Sequence, residues 1–424
     1  MSHIFHFIGH GIWMTVNLLA VTLLVLAGLS MVVPPNGGGF LLYPFSLLPA
    51  VVGLGFEWLV YINLFFALSW LFTHRKLWGL VSVLALIIVF PALRNTWALN
   101  SSPKIGWKSQ SAFGSEKGRL AGSQADRDSA RSGGGVDRSA EAEEYETSAE
   151  RGSINRGVDN PAGGSSLTLL TYNTHLLQNS TPIEQNELLR YVKSSGADIV
   201  CMQEYAVYKD RRYPSFEGVK RYMKDEYPYT YYDFSVHNKR LQYGLAVYSK
   251  YPIINKNTIP FDASSNGANR CDIVVNSDTF RLITNHLQSN LFTPQEVDSL
   301  MMLPLHRSAP NSSLSKLSTA YAKRTKQVAK VRAEIDASPY PVIVCGDFND
   351  VPVSYTYRQL SRGLSDAFLT GADSRFALGH TYVRHHLGIR IDYILHSPSF
   401  RASDFRIDPL PYSDHYPIRT TLRW

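Results

Sequence analysis

Residues 167–424 predict an α+β domain of two packed β-sheets with helices on the outer faces, preceded by three transmembrane helices and a disordered linker. Three observations lead there. The first hundred residues are strongly apolar, and the next sixty or so are polar and poor in large aliphatic residues. From Leu167 onward, short β-branched runs recur with few helical periods between them, which argues against a doubly wound parallel sheet. The net charge of +7 gives a weak lean toward anionic partners and is no nucleic-acid signature. The three cysteines, Cys201, Cys271 and Cys345, sit in apolar or β-like runs and supply no disulfide framework.

The anchor, residues 1–97, holds spans at about 11–33, 47–72 and 77–93. Gly11 to Val33 carries no charge, and at about 1.5 Å per residue it can cross a hydrocarbon core of roughly 30 Å. Met1 to His10 lacks Lys and Arg, no small-x-small cleavage site follows, and more apolar sequence comes next; a signal peptide is therefore disfavoured. Arg75 and Lys76 lie in the tight loop between the second and third spans. The positive-inside rule makes that loop cytoplasmic and puts everything after Leu93 on the other side, although Arg94, Lys104 and Lys108 pull the opposite way. Glu57 is the lone charge within the second apolar run. It reads as a group facing the bundle interior or as a carboxyl bonded between helices.

Residues 98–166, rich in Ser, Gly, Arg, Glu and Asp, cannot bury enough apolar surface to offset ordering entropy. They read as a tether that lets the next domain range over tens of ångströms. In that domain, 167–424, Leu167 to Tyr172 is a strand ending at Asn173. A helix is expected from Thr181 as N-cap, with Pro182 at its first position and Glu184 three residues on. Further strands cover Asp198 to Met202, Gly244 to Tyr248, Cys271 to Val275 and Phe280 to Thr284. Ala320 to Ile335 is a basic amphipathic helix, and Val342 to Cys345 a buried strand stopped by Gly346. Ile391 to Leu395, Phe405 to Ile407 and Ile418 to Leu422 are the last strands.

The polar residues share a placement: Asn173, Glu204, His286, Asp347 with Asn349, and Asp414 with His415 each follow a strand-like run. If those strands are neighbours, their ends converge on one patch. Carboxylates and amides without a Cys–His cluster favour an oxygen-liganded cation, Mg²⁺ or Mn²⁺, over structural zinc. Such an ion, a carboxylate beside the attacking water, and His or Asn donors suit hydrolysis of a phosphate ester. No Gly-x-Ser-x-Gly elbow, P-loop or dinucleotide fingerprint competes.

Thr171-Tyr172-Asn173, Met202-Gln203-Glu204, Gly244 to Lys250 with Pro252, Asn285-His286-Leu287, Gly346-Asp347-Phe348-Asn349, Arg390-Ile391-Asp392-Tyr393 and Ser413-Asp414-His415-Tyr416-Pro417 occur in that order. Together they resemble the endonuclease/exonuclease/phosphatase superfamily over about 167–424, and a bacterial membrane-anchored branch of it. The resemblance implies a four-layer α/β sandwich and a divalent-metal-dependent phosphoesterase. It implies Glu204 as the main Mg²⁺ ligand, Asn173 beside it and Asp414 completing the metal site. Asp347 would orient water, Asn349 hold a phosphate oxygen, His415 contact the scissile phosphate, Asp392 fix the His415 tautomer, and His286 lie against the phosphate. Thr381 matches loosely a threonine near the site. The branch implies a multi-pass protein of the bacterial cytoplasmic membrane with an extracytoplasmic catalytic domain. Nuclease and lipid or inositol phosphoesterase activities both fit: Tyr205 to Tyr232 and Leu291 to Thr319 suit stacked bases or a lipid headgroup. A non-catalytic phosphate-ligand-binding module on a membrane anchor is the alternative. His385 and His386 read as loop residues, and Asp392 reads alternatively as a salt-bridge partner of Arg390.

Overall fold

The computed structural model describes residues 2–35, 47–98, 165–177, 181–208, 214–238, 240–262, 264–290, 311–372, 379–384 and 387–424. Residues 99–164 of the expected linker, 291–310 of the insertion after His286, and His385 with His386 lie outside them.

One mixed six-stranded sheet runs in the order β13 (Arg401–Ile407), β14 (Ile418–Arg423), β1 (Ser166–Asn173), β2 (Ile199–Tyr208), β4 (Leu241–Ser249), β3 (Tyr229–His237). The other runs β5 (Ile253–Ile259), β6 (Gly267–Val275), β7 (Asp278–His286), β8 (Val342–Asp347), β12 (Asp392–His396), β9 (Ser365–Asp366). A separate ribbon pairs β10 (Tyr382–Arg384) with β11 (Leu387–Ile389). Between the sheets Leu169, Cys201 and Val247 meet Leu282, Ile343, Cys345 and Ile394, all fully buried. The outer face of the first sheet is covered by α6 (Glu187–Ser194) and α7 (Phe216–Met223), through Leu188, Leu189, Val192, Val219 and Met223. The second is covered by α8 (Asn311–Asp336), whose Val328, Val331 and Ile335 rest on Ile283, Val344 and Leu395. The layers are thus helix, sheet, sheet, helix. Two neighbouring pairs are parallel, β1 with β2 and β7 with β8. In each pair both strands end at the same edge.

Local chemistry moved one boundary. Thr181 does not cap the first helix of the domain; a short 3₁₀ turn covers Ile183–Gln185, and α6 starts after Asn186. The Asn186 side chain accepts from Leu189 N at 2.9 Å, a better-placed cap than the upstream threonine.

In the anchor, α1 (Ser2–Leu29) includes Gly11–Leu29, long and apolar enough to cross a membrane. The other two expected spans are bent pairs. Helix α2 (Leu47–Gly53) meets Phe56–Phe72, which contains α3 (Phe56–Ser69), at 74°. Lys76–Ile88, which contains α4 (Gly79–Ile88), meets α5 (Phe90–Thr96) at 62°. The second bend falls where Pro91 opens α5, as proline cannot continue the preceding hydrogen-bond ladder. Each pair reaches spanning length only if counted as one span. Polar bonds tie the helices: Asn63 Nδ2 donates to the Ala20 carbonyl at 3.1 Å, and Ser82 Oγ to Asn17 Oδ1 at 2.7 Å.

The C-terminal domain packs directly on this bundle. Val351, Val353 and Ile389 join Leu24, Ala27, Phe56, Val60 and Val89 in one apolar cluster. Burial of a valine side chain is worth about 1.5–3 kcal/mol, so this joint is substantial. Ser30 Oγ donates to the Val353 carbonyl and the Arg390 guanidinium to the Asn95 carbonyl. Glu57 neither faces the bundle interior nor bridges helices: its Oε2 lies 2.9 Å from His380 Nε2 of the domain.

Candidate active site

Strand polarity explains the convergence of the polar residues. Asn173 ends β1, whose parallel neighbour β2 pairs Gln203 with it. His286 ends β7 and Asp347 ends β8, and the two are register partners. Strand β12 is antiparallel to β8, so its first residue, Asp392, pairs with Asp347 at the same edge. Strand β14 is antiparallel to β1, which brings the preceding loop with Asp414 and His415 alongside.

Two backbone devices aim side chains at this edge. On β2, Gln203 and Glu204 oppose one residue of β4, a bulge between Met202 and Tyr205, and Glu204 has φ +50°. The bulge turns the Glu204 carboxylate out of the strand's alternation. Gly346 has φ +121°, and an added Cβ would stand 2.1 Å from the Asn285 carbonyl oxygen, so no side chain fits there.

At the centre is Asp347, almost fully buried. Its Oδ1 accepts from Asn349 N at 2.8 Å, and its Oδ2 from Asn173 Nδ2 at 3.0 Å and Asn349 Nδ2 at 3.1 Å. His286 Nε2 and His415 Nε2 each lie 3.8 Å from that Oδ2. Phe348 N donates to the Ile391 carbonyl, which makes Asp347 and Asp392 a non-hydrogen-bonded cross-strand pair, the closer kind. Two carboxylates so placed repel unless a cation intervenes, and His415 does: its Nδ1 lies 2.9 Å from Asp392 Oδ2. Burial pushes the Asp347 carboxyl up to about 7, with His415 opposing and Asp392 adding. Burial disfavours charge on His415, yet Asp392 and Asp347 raise it to about 10. Arg390 is not the partner of Asp392; it pairs with Asp366 at 2.7 Å.

Around this core, Asn173 Nδ2 is 3.3 Å from Glu204 Oε1, and His286 Nε2 is 3.6 Å from the same oxygen. Asp414 reaches the group through His175, whose Nδ1 is 3.3 Å from Asp414 Oδ1 and 3.9 Å from Glu204 Oε2. Asn349 braces Asp347, and its amide donates also to the Leu287 carbonyl at 2.9 Å. Asn266 Nδ2 lies 3.2 Å from His286 Nε2 and donates to the Leu287 carbonyl, while Ser264 Oγ lies 3.2 Å from its Oδ1. That amide orientation makes His286 Nε2 an acceptor. Burial holds the His286 pKa below its usual range, in keeping with a neutral ring.

Two contributors escaped sequence reasoning, and a third was matched only loosely. His175 was within reach, two residues beyond Asn173. Asn266 sits before β6, far from any motif. Thr381, matched only loosely, is fully buried, and its Oγ1 accepts from Ile391 N at 3.2 Å and Asp392 N at 3.1 Å. It positions Asp392, and Tyr382 beside it stands edge-on to the His415 ring at 5.0 Å.

Among the described residues, Asp347, Asp392 and His415 each offer one ligand atom, all within 4.8 Å, a group able to hold a metal ion. Beside it, Asn173 and Glu204 are in contact, and His175 stands near both Glu204 and Asp414. Buried paired carboxylates, one of raised pKa, beside a charged imidazole are the equipment of hydrolytic acid–base chemistry.

The chain belongs to the endonuclease/exonuclease/phosphatase family, whose sequence model matches residues 170–415. Members of that family are hydrolases acting on phosphodiester bonds. Among solved structures, an endonuclease/exonuclease/phosphatase from Beutenbergia cavernae DSM 12333 is 16% identical, with 61% of this chain and 71% of that one covered and a TM-score of 0.45. Truncated Caenorhabditis elegans TDP2 is 18% identical, covering 61% and 97%, with a TM-score of 0.41. ANGEL2, a 2',3'-cyclic phosphatase in complex with adenosine-2',3'-vanadate, is 16% identical, covering 62% and 96%, with a TM-score of 0.43. No curated protein matches the chain.

Proposed function

We propose that this chain is a membrane-anchored, divalent-metal-dependent phosphoesterase that hydrolyses a phosphodiester or phosphomonoester by in-line attack of water. The domains would be an anchor at 1–97, a linker at 98–166 and a catalytic domain at 167–424. The observation that carries the reading is the Asp347–His415–Asp392 arrangement, set among Asn173, Glu204 and Asp414 at one strand edge.

The donor set suits a hard cation. The His415 Nδ1 is taken by Asp392, which leaves Glu204, Asn173 and Asp414 as the better oxygen-rich holders of Mg²⁺ or Mn²⁺. His175 Nδ1 lies 3.9 Å from Glu204 Oε2 and 3.3 Å from Asp414 Oδ1, so the two carboxylates face one small space. Held by Glu204, Asn173 and Asp414, a divalent cation would offset negative charge on phosphoryl oxygens. Asp347, with a pKa near neutrality, orients water and accepts its proton. Asn349 and Asn173 fix its two oxygens. Asp392 holds the His415 ring so that protonated Nε2 faces the reacting phosphoryl group. His286, neutral and tied to Asn266, lines the phosphate side.

For the membrane, Gly11–Leu29 is long and apolar enough to span, and many exposed large apolar residues of the helices, Leu19, Phe65, Leu84 and Ile87 among them, would face lipid. The domain packs at the end of the bundle opposite Arg75 and Lys76. With those two cytoplasmic, the site lies outside a bacterial cytoplasmic membrane.

The test uses the full chain in detergent, with a nitrophenyl phosphodiester and a nitrophenyl phosphomonoester as substrates. Turnover should require Mg²⁺ or Mn²⁺, vanish with chelator, and fall about 10²–10⁴-fold in Glu204→Gln and His415→Asn. Equal turnover with chelator, or in both variants, would overturn the assignment. Phosphate-ester binding without turnover would favour the non-catalytic module.

A further inference from the structure

A cavity of about 520 Å³ lies where the helix bundle meets the C-terminal domain. Met31, Pro91 and Arg94 line it from the anchor; Arg358 and Arg362 line it from the domain, at and just beyond α9 (Tyr355–Ser361). Among the described residues no carboxylate lines it, and Arg94 and Arg358 form no ion pair. Arg362 has only Asp336, at 3.5 Å and with both side chains exposed, and Asp336 is held more closely by Arg332. Three guanidiniums around one cavity repel one another, and an anion entering it relieves that repulsion. Their planar forks suit phosphate oxygens in particular.

Depth selects the kind of phosphate. Ile87, Ile88 and Phe90, just before Pro91 and Arg94, are 63%, 56% and 50% exposed, an apolar strip leading up to the cavity. At the same end of the bundle, Trp58, Tyr61 and Trp97 form an edge-on chain with ring centroids 6.3 and 6.2 Å apart. Amphipathic aromatics gather at the headgroup level of a bilayer. The cavity therefore sits where headgroup phosphates are, with an apolar strip for acyl chains beside it.

We propose that this cavity binds the phosphate of an anionic phospholipid, held by Arg94, Arg358 and Arg362, as a site separate from the catalytic centre. The inference rests on the membrane reading of the helices. It also accounts for Arg94, one of the charges at odds with the orientation rule: here it meets lipid phosphate outside the membrane.

The test measures thermal unfolding of the full chain in detergent against added phosphatidylglycerol, phosphatidylcholine or inorganic phosphate. Phosphatidylglycerol should raise the midpoint more than phosphatidylcholine, inorganic phosphate should add little, and Arg94→Gln/Arg358→Gln/Arg362→Gln should weaken the phosphatidylglycerol response at least about tenfold. All three arginines are exposed, so the fold should tolerate the change; Arg358→Gln alone should give a smaller loss. An equal response to both lipids, or an undiminished one in the triple variant, overturns the site. An equal shift from inorganic phosphate, lost in the triple variant, overturns the lipid assignment in favour of a soluble phosphate. Carbonate extraction of membranes separates the two readings: a chain released by carbonate refutes the anchor itself, whereas a retained chain without the selective shift refutes only the lipid site.

Discussion

Replacing Thr381 with valine keeps the side-chain shape and removes one oxygen. That oxygen accepts from two backbone N–H groups, Ile391 at 3.2 Å and Asp392 at 3.1 Å, in a position with no solvent exposure. The Asp392 N–H cannot turn to β8, because the Asp347–Asp392 pair is of the non-hydrogen-bonded kind. A buried donor left unmet costs about 1–3 kcal/mol, so the two together cost about 2–6 kcal/mol. At roughly 2–4 °C per kcal/mol for a domain of this size, the unfolding midpoint should fall by at least about 4 °C. Turnover should fall as well, since the Asp392 carboxylate that orients His415 loses its backbone support. Thr381→Ser keeps the oxygen and loses one methyl, worth about 1 kcal/mol, and should retain most of the activity. Thermal unfolding and turnover of the full chain in detergent are the assays. A valine variant equal to wild type in both would refute Thr381 as the residue that positions Asp392.

The same region yields two more expected outcomes. Gly346→Ala forces a Cβ against the Asn285 carbonyl in a left-handed backbone, so it should cost more than the about 1–3 kcal/mol of strain alone and displace Asp347; a soluble, fully active variant would show that β8 can shift freely. The raised His415 pKa stabilises the folded state fully below its ordinary value of 6.5, and that stabilisation is lost as pH rises through about 10. Chelator-treated protein should therefore lose stability between pH 7 and 10 by urea titration, and His415→Asn should flatten that slope.

The strand ends were legible because each of these polar residues closes a short run rich in β-branched residues, which reads as a buried strand by its length and composition. Asn173, His286 and Asp347 sit at the last positions of β1, β7 and β8 for that reason. Glu204 was harder: it lies inside β2, and only the bulge, invisible to alternation counting, brings it to the edge. Asn266 and Thr381 act through hydrogen bonds to a ring and to backbone, and such bonds leave no periodic trace. The joint between helices and domain was equally hidden, because Val351, Val353 and Ile389 look like ordinary apolar loop and strand residues. Glu57 illustrates the same limit: its partner, His380, is more than three hundred residues away in the chain.

That joint changes what the long polar segment before the domain has to do. Val351 and Val353 come within a few residues of the Asp347–Asn349 corner, and His380 adjoins Thr381. Side-chain packing, not the length of the intervening polypeptide, holds the site in register with the helices. Residues between 98 and 165 can then lengthen, shorten or drift in composition over evolutionary time without relocating the chemistry. A cut in that segment, by contrast, would leave the two parts held together without a covalent link.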